Sequence, residues 1–312
     1  MIGRARNSRT RRYSWEVALL GVTLVWGFTF PIVKCAVQRC PGIHGGLGLA
    51  SVEHPTTPLM FLAVRFTIAT MLIGAGSLGA LRALTRKQLL VGVVIGLALA
   101  GSFIFQTFGL QRTTASNAGF LTGLYVILTP LFGAVFLRRL PAVSTVGGAL
   151  LATAGLLLIA APSGIGLGLG DALVLCCAAM AAIHILLLGR FAGIAPVRAF
   201  VSLQLGVVAV VSGVASAAIE REPVPTETGV WIAIAITAVL ASAVAFVVQT
   251  GAQRFIPPAR TAVILVMEAP FAALFGFLML TEHLGTRGLA GAGLILCGML
   301  MAELFAPAKE EL

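Results

Sequence analysis

The sequence predicts an all-α integral membrane protein: ten transmembrane helices in two inverted five-helix repeats around a central cavity. Three observations carry this reading. Hydrophobic residues fill 59% of 312 positions while charged residues fill only 10%, and the mean hydropathy is +1.03. A soluble domain is typically ~45–50% apolar and ~25% charged. The apolar residues also fall into runs of the length a bilayer requires, and the two halves of the chain repeat one another's landmarks. A folded chain of this size still exposes much of its surface, so an apolar excess this large cannot be hidden in a core. Lipid is the solvent.

A hydrocarbon layer of ~30 Å takes ~20 residues of helix. That ruler marks spans at 15–37, 59–81, 89–110, 117–137, 141–161, 171–192, 197–219, 229–251, 261–281 and 286–306. Alternation with a period of two is absent from these runs, which excludes a β-barrel. The first run follows Arg11-Arg12 and in that respect resembles an export signal, a twin-arginine one included. It is too long and lacks a small-residue cleavage site, so it reads as a retained span. The longest connection, 38–58, carries Gly42, Gly45, Gly46, Gly48 and three prolines, and leaves no room for a second domain. Glycine pairs at helical spacing, Gly92/Gly96 and Gly119/Gly123, allow helix backbones to approach closely.

The net charge of +10 could suggest nucleic acid, but its placement argues against that partner. Arg4, Arg6, Arg9, Arg11 and Arg12 precede the first span, and most other cations sit in short loops. With the N-terminus inside, fifteen Lys and Arg lie on the cytoplasmic side and four (Arg39, Arg112, Arg221, Arg287) outside. This bias orients the chain with both termini cytoplasmic, in the cell (plasma or inner) membrane, and supports an even number of spans. The five cysteines include no CxxC and lie near no His cluster, so no metal site is expected. Cys176, Cys177 and Cys297 sit in apolar runs as small hydrophobes. Cys35 and Cys40 could pair at a helix end but are read as free thiols.

The halves, 1–161 and 162–312, share a pattern. Pro130 and Pro270 sit near the middle of the fourth and ninth spans. Gln111-Arg112 and Gln253-Arg254 precede them, Gly148-Ala149 with Gly155 and Gly291-Ala292 with Gly298 follow, and Gln106 and Gln249 close the third and eighth spans. Five spans per half is an odd number, so the second half must be inverted relative to the first. Inverted repeats typify secondary transporters, with substrate bound near the midplane between the halves.

Trp26-Gly27-Phe28-Thr29-Phe30-Pro31 with Lys34, Arg65-Phe66, and Thr113-Thr114-Ala115-Ser116-Asn117-Ala118 followed by Pro130 resemble the first half of EamA-type proteins of the drug/metabolite transporter superfamily. Pro257-Pro258-Ala259-Arg260, Glu268-Ala269-Pro270 and Thr281-Glu282 resemble its second half. The resemblance implies ten helices around a central cavity, with the fifth and tenth at the periphery, and export of small metabolites, amino acids or drugs. The pattern departs at Met180-Ala181, where the repeat of Trp26 would stand, at Arg139, opposite Glu282, and in the long 38–58 connection.

Ionisable residues within membrane runs are costly and point to function. Glu268, two residues before Pro270, is the first candidate. A carboxylate facing a dehydrated cavity is hard to ionise, which suits it to carry a proton or meet a cationic substrate; the alternative is a structural carboxylate held by a neighbouring helix. His184 is the one histidine within a run. It either couples protons to transport or hydrogen-bonds between helices. Lys34 and Arg65 lie near the outer ends of the first two spans, where such cations snorkel to headgroups unless, like Arg65 at the outer mouth, they meet a substrate carboxylate. Ser102 with Gln106 and Ser242 with Gln249 share helix faces, and with Gln204 they either wall a cavity or bond between helices. Trp26, Phe30 and Tyr125 are either walls of a substrate pocket or packing.

Zinc-protease, phosphate-loop and nucleophile-elbow motifs are absent. The expected partners are a small-molecule substrate, the lipid bilayer and protons, with no cofactor and no nucleic acid, and a homodimer is compatible with the reading. The function this reading expects is a secondary transporter, an exporter by resemblance. Its rivals are a proton-coupled multidrug exporter of lipophilic cations and, from another class, an intramembrane enzyme or non-transporting scaffold.

Overall fold

The computed structural model describes residues 2–40, 52–137, 142–160, 168–221, 224–282 and 285–305. Arg138, Arg139, Lys309 and the glycines of the first long connection lie outside them. The described residues form helices, with one isolated bridge between Cys40 and Val52. The helices are α1 (Ile2–Val37), α2 (Pro58–Ala75), the short α3 (Leu78–Arg82), α4 (Arg86–Leu110), α5 (Ala115–Gly123), α6 (Tyr125–Leu137) and α7 (Val143–Ala160). Then follow α8 (Leu169–Phe191), α9 (Val197–Ala215), α10 (Thr228–Ile236), α11 (Ala245–Ala252), α12 (Pro258–Leu265), α13 (Glu268–Leu280) and α14 (Thr286–Leu304). Among the described residues, eight stretches are long and apolar enough to cross a membrane: Tyr13–Val37, Pro58–Ala75, Arg86–Leu110, Ala115–Phe136, Leu169–Phe191, Val197–Glu220, Thr228–Ala252 and Pro258–Leu280. α7 is apolar over Val143–Gly155 and packs along α14.

Local chemistry sets the helix starts. Thr85 accepts the Gln88 N–H and Gln88 accepts the Thr85 N–H, a reciprocal cap that begins α4. Thr114 accepts the Asn117 N–H at the start of α5. Pro58 and Pro258 occupy first helical positions, where a missing N–H costs nothing.

Polarity is inverted relative to a soluble protein. Leu90, Val94, Phe136, Leu150, Val210 and Leu278 face outward, while Glu16, Arg65, His184, Gln204, Gln249, Arg260 and Glu268 are buried. This multi-pass arrangement hides the groups that lipid will not solvate. Gly92 and Gly96 lie against Leu203 and Val207 of α9, where any added Cβ would collide, so the small-residue stripe of α4 is a helix contact. α2 also packs on α9, α4 on α8, α1 on α13, and α5 on α13.

Three of the spans are irregular within their length, and one more, Val197–Glu220, ends in the π-helical turn Ser216–Glu220. The fourth breaks at Leu124 between α5 and α6, and the ninth breaks at Val266 and Met267 between α12 and α13. Within the eighth, Thr237–Val244 widens into a π-helical turn. Non-helical backbone at membrane depth is tolerated where it lines a cavity or is buried in protein. All three irregularities adjoin the central cavity.

The reading of Cys35 and Cys40 as free thiols is corrected. α1 ends at Val37, Cys40 pairs with Val52 in an isolated bridge, and the Cα atoms of Cys35 and Cys40 lie 5.1 Å apart in a disulfide. Arg65 does not snorkel: α2 turns it inward, and only 3% of it is exposed.

Candidate functional site

The break in the ninth span makes Glu268 the first residue of a half-helix, a position where the axial dipole favours negative charge. The break in the fourth does the same to Tyr125, the first residue of α6. Both side chains face a cavity between the halves. Its volume is about 80 Å³, on a scale where one water needs ~10–15 Å³, so it has room for several waters or one small organic solute. The cavity brings together Trp26, Phe30, Arg65, Gln106, Tyr125, His184, Gln249 and Glu268, the residues the sequence singled out. Lys34 is elsewhere, in an ion pair with Glu282 at 3.6 Å, and Gln204 stands behind His184.

Each polar wall has an identifiable support. The Arg65 Nε donates to Ser242 Oγ at 2.9 Å, on the widened turn of the eighth span. The guanidinium lies 5.0 and 4.9 Å from the centroids of Phe66 and Phe103, which meet edge to face, a double cation–π contact that suits a desolvated cation. No carboxylate pairs with Arg65 among the described residues. The Trp26 indole N–H donates to the Ala241 carbonyl at 2.9 Å, again on the widened turn. His184 Nε2 and Gln204 Oε1 are 3.2 Å apart, and the imidazole stands edge-on to Phe246. Gln106 donates to Thr122 at 3.3 Å, and Gln249 to Gln253 at 3.2 Å. The Tyr125 hydroxyl neighbours the Glu268 carboxylate. Yet Tyr125 Oη, Glu268 Oε1 and Gln249 Oε1 complete no hydrogen bond of ordinary geometry within the protein. Buried polar atoms are normally satisfied, so these three are capacity held for something else.

Phe103 and Phe246 complete the aromatic wall and meet each other edge to face, 5.9 Å apart. Sequence reasoning passed over both, though a signal existed. Each stands three residues before Gln106 or Gln249, on the same helix face, and the register that matches the two glutamines also matches the two phenylalanines.

Comparisons with known proteins agree with this architecture. An uncharacterized transporter of Archaeoglobus fulgidus is 30% identical over 294 residues, covering 94% of this chain and 87% of that protein. A crystal structure superposes with a TM-score of 0.71 at 20% identity, over 94% of this chain and 98% of the other, a likeness of fold. Residues 13–161 and, separately, 168–304 match the EamA-like transporter family. The chain belongs to the EamA-like transporter family, and is a multi-pass membrane transporter.

Proposed function

We propose that the cavity is the substrate site of a secondary transporter that exports small organic solutes by alternating access between two inverted five-helix halves, 1–161 and 162–312. The double family match supports the duplication. Reciprocal packing supports the inversion. At the contact of α7 with α14, Gly155 lies against the Gly291 carbonyl and Gly298 lies against the Gly148 carbonyl, the exchange expected of a two-fold axis. With α7 and α14 counted, the spans number ten. The fifteen-to-four charge bias supports cytoplasmic termini in the plasma or inner membrane.

One observation carries the substrate reading: Arg65, buried in the cavity wall, has no acidic partner among the described residues. A desolvated cation calls for a counter-charge, and a solute carboxylate provides one. Glu268 and Gln249 then face the rest of the solute, an amine included, and the aromatic wall takes its apolar part. Glu268 and His184 are the proton-coupling groups. The unfilled Oε1 of Glu268 beside Tyr125 favours Glu268 as the carrier. The same carboxylate and aromatic wall favour a second reading, export of lipophilic cations in exchange for protons, which Arg65 opposes by repulsion.

Flux into proteoliposomes under an imposed pH gradient separates these readings. Labelled amino acids, other small carboxylates and lipophilic cations form the panel. Carboxylate-bearing solutes are expected to move, and Arg65→Gln is expected to abolish that preference. Transport of lipophilic cations alone would reverse the assignment, and flux of no solute would remove the transport reading.

A further inference from the structure

The helices that enclose the cavity are tied together at both ends by residues that do not line it. At one end, Arg260 Nη2 of α12 meets Glu16 Oε1 of α1 at 3.0 Å, with side chains 4% and 8% exposed. Beside this pair the Trp15 ring stacks on Phe255, centroids 6.3 Å apart and planes at 18°. At the opposite end, where Glu282 lies, Asp171 Oδ1 of α8 accepts hydrogen bonds from Thr113 Oγ1 and Asn117 Nδ2, each at 2.9 Å. Here the backbone of Gly170 lies against Arg112, so closely that a Cβ on the glycine would stand 2.7 Å from the Arg112 Cβ.

The two clusters are built from equivalent positions. Setting residue 13 on residue 168, where the two family matches begin, puts Trp15 on Gly170 and Glu16 on Asp171. The register that matches Gln106 with Gln249 puts Arg112 on Phe255 and Asn117 on Arg260. Trp15, Glu16, Phe255 and Arg260 of one cluster therefore correspond to Gly170, Asp171, Arg112 and Asn117 of the other, and the matched pairs are in contact in both. Each cluster also joins the first half of the chain to the second. A swing of one half against the other must break one cluster as it preserves the other, and exchanging the roles of inverted halves exchanges the clusters.

We propose that these clusters are the two gates of the transport cycle: Glu16–Arg260 at one end and Asp171 with Asn117 and Thr113 at the other, broken alternately. The inference rests on the alternating-access reading above. The gates are unequal. Separating Glu16 from Arg260 parts two buried opposite charges, tolerable only when the opening admits water, and it also parts an aromatic stack. Separating Asp171 from its neutral donors strands one charge, while the same end is also tied across the halves by Glu282, which pairs with Lys34 and accepts from Ala115 and Ser116.

Site-directed labelling tests this without a substrate. A reporter Ala181→Cys on the cavity wall is introduced with Cys176→Ser, Cys177→Ser and Cys297→Ser, and an impermeant maleimide is applied to right-side-out and inverted vesicles. The parent sets the reference ratio of labelling through the two ends. Arg260→Gln should raise labelling through its own end at least about tenfold and lower it through the other. The exchange Glu16→Arg with Arg260→Glu should restore the parent ratio, and it carries the test if the single variant does not fold. Asn117→Ala with Thr113→Ala should shift the ratio the opposite way. Changes that are equal through both ends, or absent, overturn the gates. Failure of the solute reading looks different: labelling alternates as predicted while none of the solutes moves. Solute flux with labelling indifferent to both clusters removes the gates alone.

Discussion

The contact between α7 and α14 and the helices around the cavity solve the same problem, helix association in lipid, by opposite means. α7 and α14 are unbroken, and their meeting surface is glycine and small aliphatic residues: Gly155 on Gly291, Gly298 on Gly148 and Ala152, with Ile295 beside Gly155. None of these contacting residues ionises. The cavity helices are interrupted at Leu124 and Val266, widened at Thr237–Val244, and carry Arg65, His184 and Glu268 in their interior. Without a hydrophobic driving force between helices, close van der Waals contact holds the first region, while directed polar contacts hold the second. The difference teaches where the molecule is built to hold and where it is built to change. A smooth glycine seam has one good arrangement, and a wall of interruptions and half-satisfied polar atoms has several.

The largest expected effect breaks the cavity without touching the seam. Glu268→Gln keeps the shape and most hydrogen-bonding capacity of the side chain but cannot exchange a proton. It should insert normally, melt near the parent temperature, and lose the component of flux driven by the pH gradient. PH-driven flux equal to the parent's would make Glu268 a helix staple and shift proton coupling to His184. Next comes Arg65→Gln. A hydrogen bond to a charged group is worth ~1.5–3 kcal/mol, so the concentration of a carboxylate solute at half-maximal flux should rise ~10–100-fold. The quantity to measure is that concentration for a carboxylate and for its amide, and a rise of equal size for both would exclude charge recognition.

The seam is tested from the other side. In Gly155→Leu the new side chain meets the Gly291 carbonyl and the backbone of Ile295. Overpacking of this kind costs ~1–3 kcal/mol. The detergent-solubilised protein should melt at lower temperature and yield should fall. Flux per folded molecule should stay close to the parent, and a loss of specific flux with an unchanged melting curve would mean that the seam moves in the cycle.

Much of this contrast was legible in the chain. The eight long apolar helices of the described residues follow from length and hydropathy, because a bilayer imposes one length on every span. Glu268, His184 and Gln249 stand out because a polar residue in such a run requires a cause. Orientation around a helix axis was less legible. Arg65 lies close enough to a span end to snorkel, and only the packing of α2 against α9 and the eighth span turns it inward to Ser242. The widening at Thr237–Val244 leaves no mark in composition, since Thr, Ala, Val, Leu and Ser serve an α-helical turn as well. Contacts across the fold were least legible of all. Glu282 accepts N–H bonds from Ala115 and Ser116 and pairs with Lys34, and nothing local to any of those residues announces it.

The smallest expected effect is also the sharpest probe of the cavity's unfilled hydrogen bonds. Tyr125 begins α6 as Glu268 begins α13, and its buried hydroxyl, next to the Glu268 carboxylate, completes no bond of ordinary geometry. If that hydroxyl serves the solute or the proton only during the cycle, Tyr125→Phe removes nothing from the resting fold. A neutral hydrogen bond contributes ~0.5–1.5 kcal/mol, so half-maximal flux should require ~2–10-fold more solute, with the melting temperature unchanged or slightly higher. If the hydroxyl instead braces the broken fourth span, the signs invert: melting temperature falls while the flux of the remaining folded molecules holds. Measuring both on one preparation separates the two. Pairing the substitution with Glu268→Gln adds a check, because two groups that act on the same proton give effects that do not add. Additive losses would assign Tyr125 to the solute and leave Glu268 to carry the proton alone.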